Sequence, residues 1–293
     1  MDNRREISDF LTSRRARVRP EDTGLPAHDQ RRRVPGLKRE EVALLAGVSV
    51  DYYARLERGH LAGVSASVLD AISDALTLDQ AEREHLRDLA QAAAEPERKL
   101  RTRPQKALVL RSNIRALLSG MTGIPAYVRD ARADVLAANE LCIALYDGML
   151  DPDRSPFNVA RFVFLDARSH GFFLDWDEVA DGTVGALRAE AGRNPLDKRL
   201  TDLIGELVAR SDPFATRWAQ HNVRLHRTVT KRLHNNVVGD LELPGNSLEL
   251  PGEGLTVIAY TAEPGSAAEE QLRLLASWQT TTEKTSDSSR ASR

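Results

Sequence analysis

The 293-residue chain has a single cysteine, no surplus of charge to speak of and no long apolar run. Cys142 cannot close an intramolecular disulfide, and no Cys/His spacing matches a structural zinc site, which excludes a disulfide-stapled secreted domain and predicts a reducing, cytoplasmic setting. No stretch approaches the ~20 apolar residues of a spanning helix, and the opening Met-Asp-Asn-Arg-Arg lacks the apolar core of a signal peptide, so no membrane partner is expected. Lys plus Arg 41 against Asp plus Glu 43 gives a net charge of −2, which as a whole-chain number argues against a nucleic-acid-binding protein.

What is present changes that inference. Residues 1–60 carry 13 basic and 10 acidic side chains and residues 98–115 carry 7 basic and none acidic, while 61–97 and 116–293 are each net acidic. A basic surface joined to a separate acidic module hides inside a neutral total. The length suggests about two domains, each able to bury a core.

From Ile7 to Ala92 apolar residues recur at three- and four-residue spacings, and five helices are expected: Ser8 to Arg17, Lys38 to Ala46, Val50 to Arg58, Ser67 to Leu76 and Gln80 to Ala93. A loop with Arg31, Arg32 and Arg33 follows the first, and Asp79 with Glu82 reads as a capping box for the fifth. Residues 1–96 form this first domain and 97–115 a basic linker and connecting helix. Residues 116–279 form a second, mixed α+β domain, and the Thr/Ser-rich 280–293 reads as a disordered tail. In the second domain a strand pair around a turn precedes helices near 139–146, 158–166, 176–190, 197–210 and 213–221. Strands are expected over Val223 to Leu233, Val237 to Leu243, Ser247 to Leu250 and Leu255 to Thr261, and a closing helix over Ala267 to Trp278.

The segment from Arg39 to Gly59 carries the first function. Two short helices meet at Gly47, whose left-handed tolerance suits a tight turn, and Ala43, four positions earlier, lets the helices approach closely. Tyr53 and Leu56 have the spacing of inward anchors, Ser49 suits the N-cap of the second helix, and Gly59 suits its C-terminal end. Ser49, Val50, Asp51, Tyr52, Arg55 and Arg58 then face outward as the major-groove surface of a recognition helix, with Arg33, Lys38 and Arg39 as phosphate contacts. The alternative is two ordinary packed helices whose arginines face solvent. Double-stranded operator DNA is the expected partner, bound by a homodimer, because one small module reads too few base pairs to be selective.

The run Pro35 to Gly59 resembles the Xre (Cro/C1-type) helix-turn-helix regulators. Together with Asn158 to Asp166, Asp175-Trp176, Gly205 to Ser211, Phe214 with Trp218, and Thr261 to Ser266, it resembles the actinobacterial group that carries an MmyB-like ligand-binding domain. The resemblance covers about residues 8 to 278. It implies an all-α, five-helix repressor-like DNA-binding domain followed by an α+β PAS-like domain, and a small apolar effector such as a bound fatty acid, with no other cofactor. Where many relatives have His-Pro, this chain has His234-Asn235.

Tyr127, Phe162, Phe164, Phe172, Phe173, Trp176 and Trp218 are candidates to line the apolar pocket, against the plainer reading that they are core. A C-terminal domain that only dimerises or binds protein, with no small ligand, is the alternative function. His221, His226 and His234 have the wrong spacing for a shared metal ion. Ser169-His170-Gly171 with Asp175 lacks any nucleophile elbow, phosphate loop or metal-ligand pair, so no enzyme is expected and this stretch reads as surface loop.

Overall fold

The computed structural model describes residues 3–24, 36–94, 112–222, 229–250 and 254–290. Arg31 to Arg33, the linker residues 97–111, His226 and residues 291–293 lie outside the described residues. The chain begins with α1 (Asn3–Arg17), a short 3-10 turn (Pro20–Thr23), α2 (Arg39–Leu45), α3 (Val50–Glu57), α4 (Ala66–Ala75) and α5 (Gln80–Ala94). These are the five expected helices, each within a few residues of its expected bounds except α1. That helix starts five residues early, because Glu6 and Ile7 extend the buried stripe of Phe10, Leu11 and Arg14 by one turn. The capping box of α5 is formed: Asp79 N–H donates to Glu82 Oε2 at 3.1 Å and Glu82 N–H to Asp79 Oδ1 at 2.9 Å.

There follow α6 (Ser112–Gly120), β1 (Ala126–Asp130), β2 (Asp134–Ala138), α7 (Glu140–Leu145), β3 (Phe157–Asn158), α8 (Val159–Leu165), α9 (Arg168–Phe172), α10 (Trp176–Arg193), α11 (Lys198–Arg210), α12 (Asp212–Ala219), β4 (Val229–Asn235), β5 (Gly239–Leu250), β6 (Leu255–Tyr260) and α13 (Ala267–Arg290). The strands form one six-stranded sheet in the order β3-β2-β1-β6-β5-β4, with antiparallel neighbours throughout. The architecture is a helical N-terminal region followed by an α+β domain, as the resemblance implies.

Three expectations are corrected. Ser247 to Leu250 is not a separate strand, because β5 runs unbroken through Pro244-Gly245. Its first half pairs with β4 up to Val229 opposite Gly245, and its second half pairs with β6 from Gly245 opposite Tyr260 onward. Pro244, which has no N–H to give, stands where the strand changes partner, and its carbonyl accepts from Thr261 N at 3.0 Å. The closing helix continues past Trp278 to Arg290 in place of a disordered tail from Thr280, since neither proline nor glycine interrupts 267–290. Ser169 to Gly171 lie within the short helix α9, and Ser169 is fully buried with its Oγ donating to Val163 O at 2.9 Å.

Two compact units are present: residues 1–104 with 184–225, and residues 105–183 with 226–293. The first unit therefore contains most of α10 and all of α11 and α12, which the sequence assigns to the second domain. A buried charge cluster explains why. Arg188, fully enclosed, donates to Glu6 of α1 and to the carbonyl of Trp218, and its guanidinium lies 4.0 Å from the Trp218 ring centroid. His221 Nδ1 is 2.9 Å from Arg188 Nη1, and Arg14 of α1 pairs with Glu82 at 2.8 Å while donating to the His221 carbonyl. Gly192 of α10 is required by its neighbour, because a Cβ there would lie 2.6 Å from His85 of α5.

In the second unit, one face of the sheet buries Ala126, Val128, Val257 and Ala259 with Ile114 and Leu118 of α6. Asn139 caps α7 by accepting from Cys142 N at 3.0 Å and also ties Ala126, Met121 and Ile124 together. Asn235 is fully buried and donates to the carbonyls of Ala144 and Leu145 and to Asp147, anchoring the β4–β5 hairpin to α7.

Candidate nucleic-acid interface and ligand cavity

The helix-turn-helix is built by its turn. Gly47 adopts φ +65°, a conformation strained for any side chain, and Val48 N–H returns to Ala43 O at 2.9 Å. Ala43, Tyr53 and Leu56 are buried as expected, with Val42 and Ala46 beside them. Ser49 caps α3, its Oγ accepting from Tyr52 N at 3.1 Å. Gly59 ends the helix at φ +91° and has a second duty that the cap reading overlooks. A Cβ there would lie 2.5 Å from Arg4 O, so α1 crosses too closely for any larger residue.

Outward from this frame, Ser49, Val50 (47 % exposed), Asp51, Arg55 and Arg58 form an exposed strip, with Tyr52 half-buried at its edge. Arg58 donates to Ala54 O at 3.1 Å, while among the described residues no carboxylate pairs with Arg55. Lys38 is the N-cap residue of α2, with its Nζ 3.8 Å from Glu40. Arg39 is half-exposed and bonded to Glu57.

Glu57 is the residue that sequence reading missed. It is 1 % exposed and accepts from Thr12 Oγ1 at 3.1 Å, from Arg15 Nε at 2.8 Å and from Arg39. Burial pushes its carboxyl up, but the hydrogen bonds and charges of Arg39 and Arg15 outweigh that and hold it below the usual carboxylate range. The same contacts raise Arg39. The signal was available: position 57 is four residues after the anchor Tyr53 and so shares its inward face.

In the second unit Tyr127, Phe162 and Phe173 are buried within an aromatic cluster around Tyr146, Phe172 and Tyr260. Phe172 also lines a cavity of about 410 Å³ with Asp147, Met149, Arg168, Gly171, His234 and Asn236. Trp176 stacks on His170 at 4.2 Å between centroids and sits edge-on to Phe164. Trp218 belongs to the first unit, stacked on Phe214 and beside Arg188, and is not brought together with the others. A second cavity of about 590 Å³ lies beside α6 and α7, lined by residues including Arg115, Leu118, Met121 and Ile143.

His234 pairs with Asp240 at 2.6 Å and His221 with the Glu6–Arg188 cluster. Among the described residues no His, Cys, Asp and Glu group is arranged to hold a metal, and no helix is long and apolar enough to cross a membrane.

Residues 6–86 match a helix-turn-helix domain family, and residues 110–275 match the MmyB-like transcription regulator ligand binding domain. No curated protein matches the chain. The second match spans more than half of the chain, so the chain belongs to the MmyB-like transcription regulator ligand-binding-domain family and, with its N-terminal helix-turn-helix, is a DNA-binding transcription regulator.

Proposed function

We propose that the protein reads operator DNA as a homodimer through the outward strip of α3 and that its second unit adjusts this binding in response to a small apolar, fatty-acid-like ligand. The observation that carries the DNA reading is the division of α3 into a face locked by Tyr53, Leu56 and Glu57 and an opposite exposed face containing Val50, Asp51 and Arg55. An arginine without a carboxylate partner on a recognition helix can address a guanine with two hydrogen bonds. In this reading Lys38 and Arg39, at the start of α2, contact phosphates, and Arg33, which lies outside the described residues, is assigned the same role from the sequence alone.

Gel-shift titration with an operator duplex tests this assignment. Arg55→Ala should cost about 1–3 kcal/mol of specific affinity and relax one base position, whereas Lys38→Ala should weaken binding to every duplex and lower the salt slope by about one. Unchanged specific affinity for the Arg55 variant would remove that residue from the base contacts. Lys38 is the cleaner phosphate probe, because altering Arg39 also disturbs Glu57.

Support for the ligand reading comes from the family and from the cavity, whose Met149 and Phe172 offer apolar contact beside the polar Arg168 and His234. A second reading, in which the C-terminal unit serves association alone, draws on Leu274 and Trp278 (61 % exposed), one turn apart on α13. Mass spectrometry of solvent extracts from purified protein separates the two: a co-purified lipid supports a sensor, and repeatedly empty extracts support an association module.

A further inference from the structure

Helix α1 carries Arg4 and Arg5 in its first turn, both exposed. That turn is the wrong end of a helix for cations, because its unpaired N–H groups already place positive charge there. The acidic residue of the same turn does not offset them: Glu6 is buried and bonded to Arg188. Arg5, its side chain 84 % exposed, has Nε 3.7 Å from Asp9. An exposed pair of this kind is weak, and weaker still when the cation precedes the anion along the helix. The folding of α1 gains little from either arginine.

The recognition helix fixes where these two side chains stand. Gly59, next to Arg58 at the end of α3, meets the backbone of Arg4 so closely that a Cβ there would lie 2.5 Å from Arg4 O and 2.7 Å from Arg4 Cα. Further along α1, Thr12 and Arg15 donate to Glu57, the last residue of α3. Positions 4, 8, 12 and 15 recur at the spacing of one helix face, so Arg4 begins the face of α1 that lies on α3. Arg5, seven positions before Thr12, stands at the edge of that face. The exposed cations of α3 therefore continue into α1: Arg55 and Arg58 lie along the strip, exposed His60 follows Gly59, and Arg4 and Arg5 adjoin them. Of the carboxylates that touch α1 here, Asp9 is half-exposed, and Glu57 is buried and already paired with Arg15 and Arg39. A helix lying in the major groove has phosphate backbone on both sides, so cations just past its end are in reach of a wall and not of base edges.

We propose that Arg4 and Arg5 are phosphate contacts: the first turn of α1, held against Gly59, engages the DNA backbone beside the groove that α3 enters. This rests on the reading of α3 as the recognition helix and adds a binding element from outside the helix-turn-helix. Both arginines supply affinity without sequence preference.

Fluorescence anisotropy titration of the full-length protein tests the proposal, using a duplex selected from a random pool and a scrambled duplex of the same composition, at salt from about 50 to 200 mM. Arg4→Gln and Arg5→Gln should each lower the slope of log affinity against log salt by about 0.9 on both duplexes, and the double variant by about twice that. The ratio of the two affinities should stay that of the wild type, the opposite of the pattern expected for Arg55→Ala. The Arg4→Lys, Arg5→Lys variant keeps both charges and should keep the wild-type slope, because a phosphate accepts an ammonium as a point charge. Thermal melting separates contact from folding: the double Gln variant should melt at or above the wild type, since it removes cations from the first turn of a helix. An unchanged slope in the double Gln variant, a Lys pair that binds no better than the Gln pair, or a lowered melting point in the Gln pair overturns the contact. If Arg55→Ala still loses discrimination in those cases, the reading of α3 stands. A wild type that binds neither duplex in a salt-dependent way overturns both.

Discussion

Glu57 holds its negative charge between two helices that are far apart in sequence, taking donors from Thr12 and Arg15 on α1 and from Arg39 on α2. Removing the carboxylate leaves Arg15, itself largely buried, without its counter-charge. Glu57→Ala should therefore cost about 3–5 kcal/mol in urea unfolding. A loss under about 1 kcal/mol, typical of a surface pair, would contradict the buried-hub account. His85 makes a pH prediction. It is buried, with no hydrogen bond to either ring nitrogen among the described residues, and burial lowers its pKa from 6.5 to about 3. Glu6 beside it is raised by burial but brought down to about 2 by His221 and Arg188. Both folded values lie below the unfolded ones, so the stability these groups confer is complete above the unfolded pKa and is lost as pH falls. The histidine contribution disappears from pH 6.5 toward 3 and the glutamate contribution from about 4.5 toward 2. Melting temperatures should decline as pH falls below 6.5, and His85→Leu should flatten the decline between 6.5 and 4.5. An unaltered profile in that variant would mean that another group titrates there.

Among the elements, α10 to α12 depart furthest from the sequence reading. Their bounds were legible, because caps such as Asp197 and Ser211 and apolar spacing mark them locally. Their membership of the first unit was not. Arg188 sits in an alanine- and glycine-rich helix and reads as an ordinary solvent-facing charge until Glu6, 182 positions away, is seen bonded to it. Arg188→Ala should destabilise by about 3–5 kcal/mol by stranding Glu6, and the Glu6→Leu, Arg188→Met double variant should cost much less than the sum of the singles. Additive losses in a double-mutant cycle would show that the pair does not act as one contact. β5 was misread for a related reason. Pro-Gly-Asn is a turn signal locally, and only pairing with strands on both sides keeps the chain extended through it. Locally capped helices were thus readable, whereas features fixed by distant partners were not.

At the scale of the whole molecule, the net charge of −2 is a poor guide because acidic and basic blocks cancel. The turn glycine, its alanine and the cap serine were all legible from spacing, and each occupies the place its chemistry predicts. The ligand pocket was less so, since aromatic type alone does not separate core from lining: Phe172 lines a cavity, whereas Tyr127, Phe162 and Phe173 pack in the cluster. Dimerisation is a prediction at this scale. Light scattering should give twice the 32.4 kDa chain mass, and Leu274→Glu with Trp278→Glu should shift it toward the monomer if α13 supplies the interface. The central claim, that this protein reads DNA sequence through α3, is tested most directly by selecting duplexes from a random pool with the full-length protein. The selected site should then be titrated against a scrambled duplex with wild type and Arg55→Ala. The account predicts two-fold-related half-sites centred about one helical turn apart, and a fall in discrimination of about tenfold or more in the variant. A selected pool with no shared sequence, or discrimination unchanged by Arg55→Ala, would contradict it.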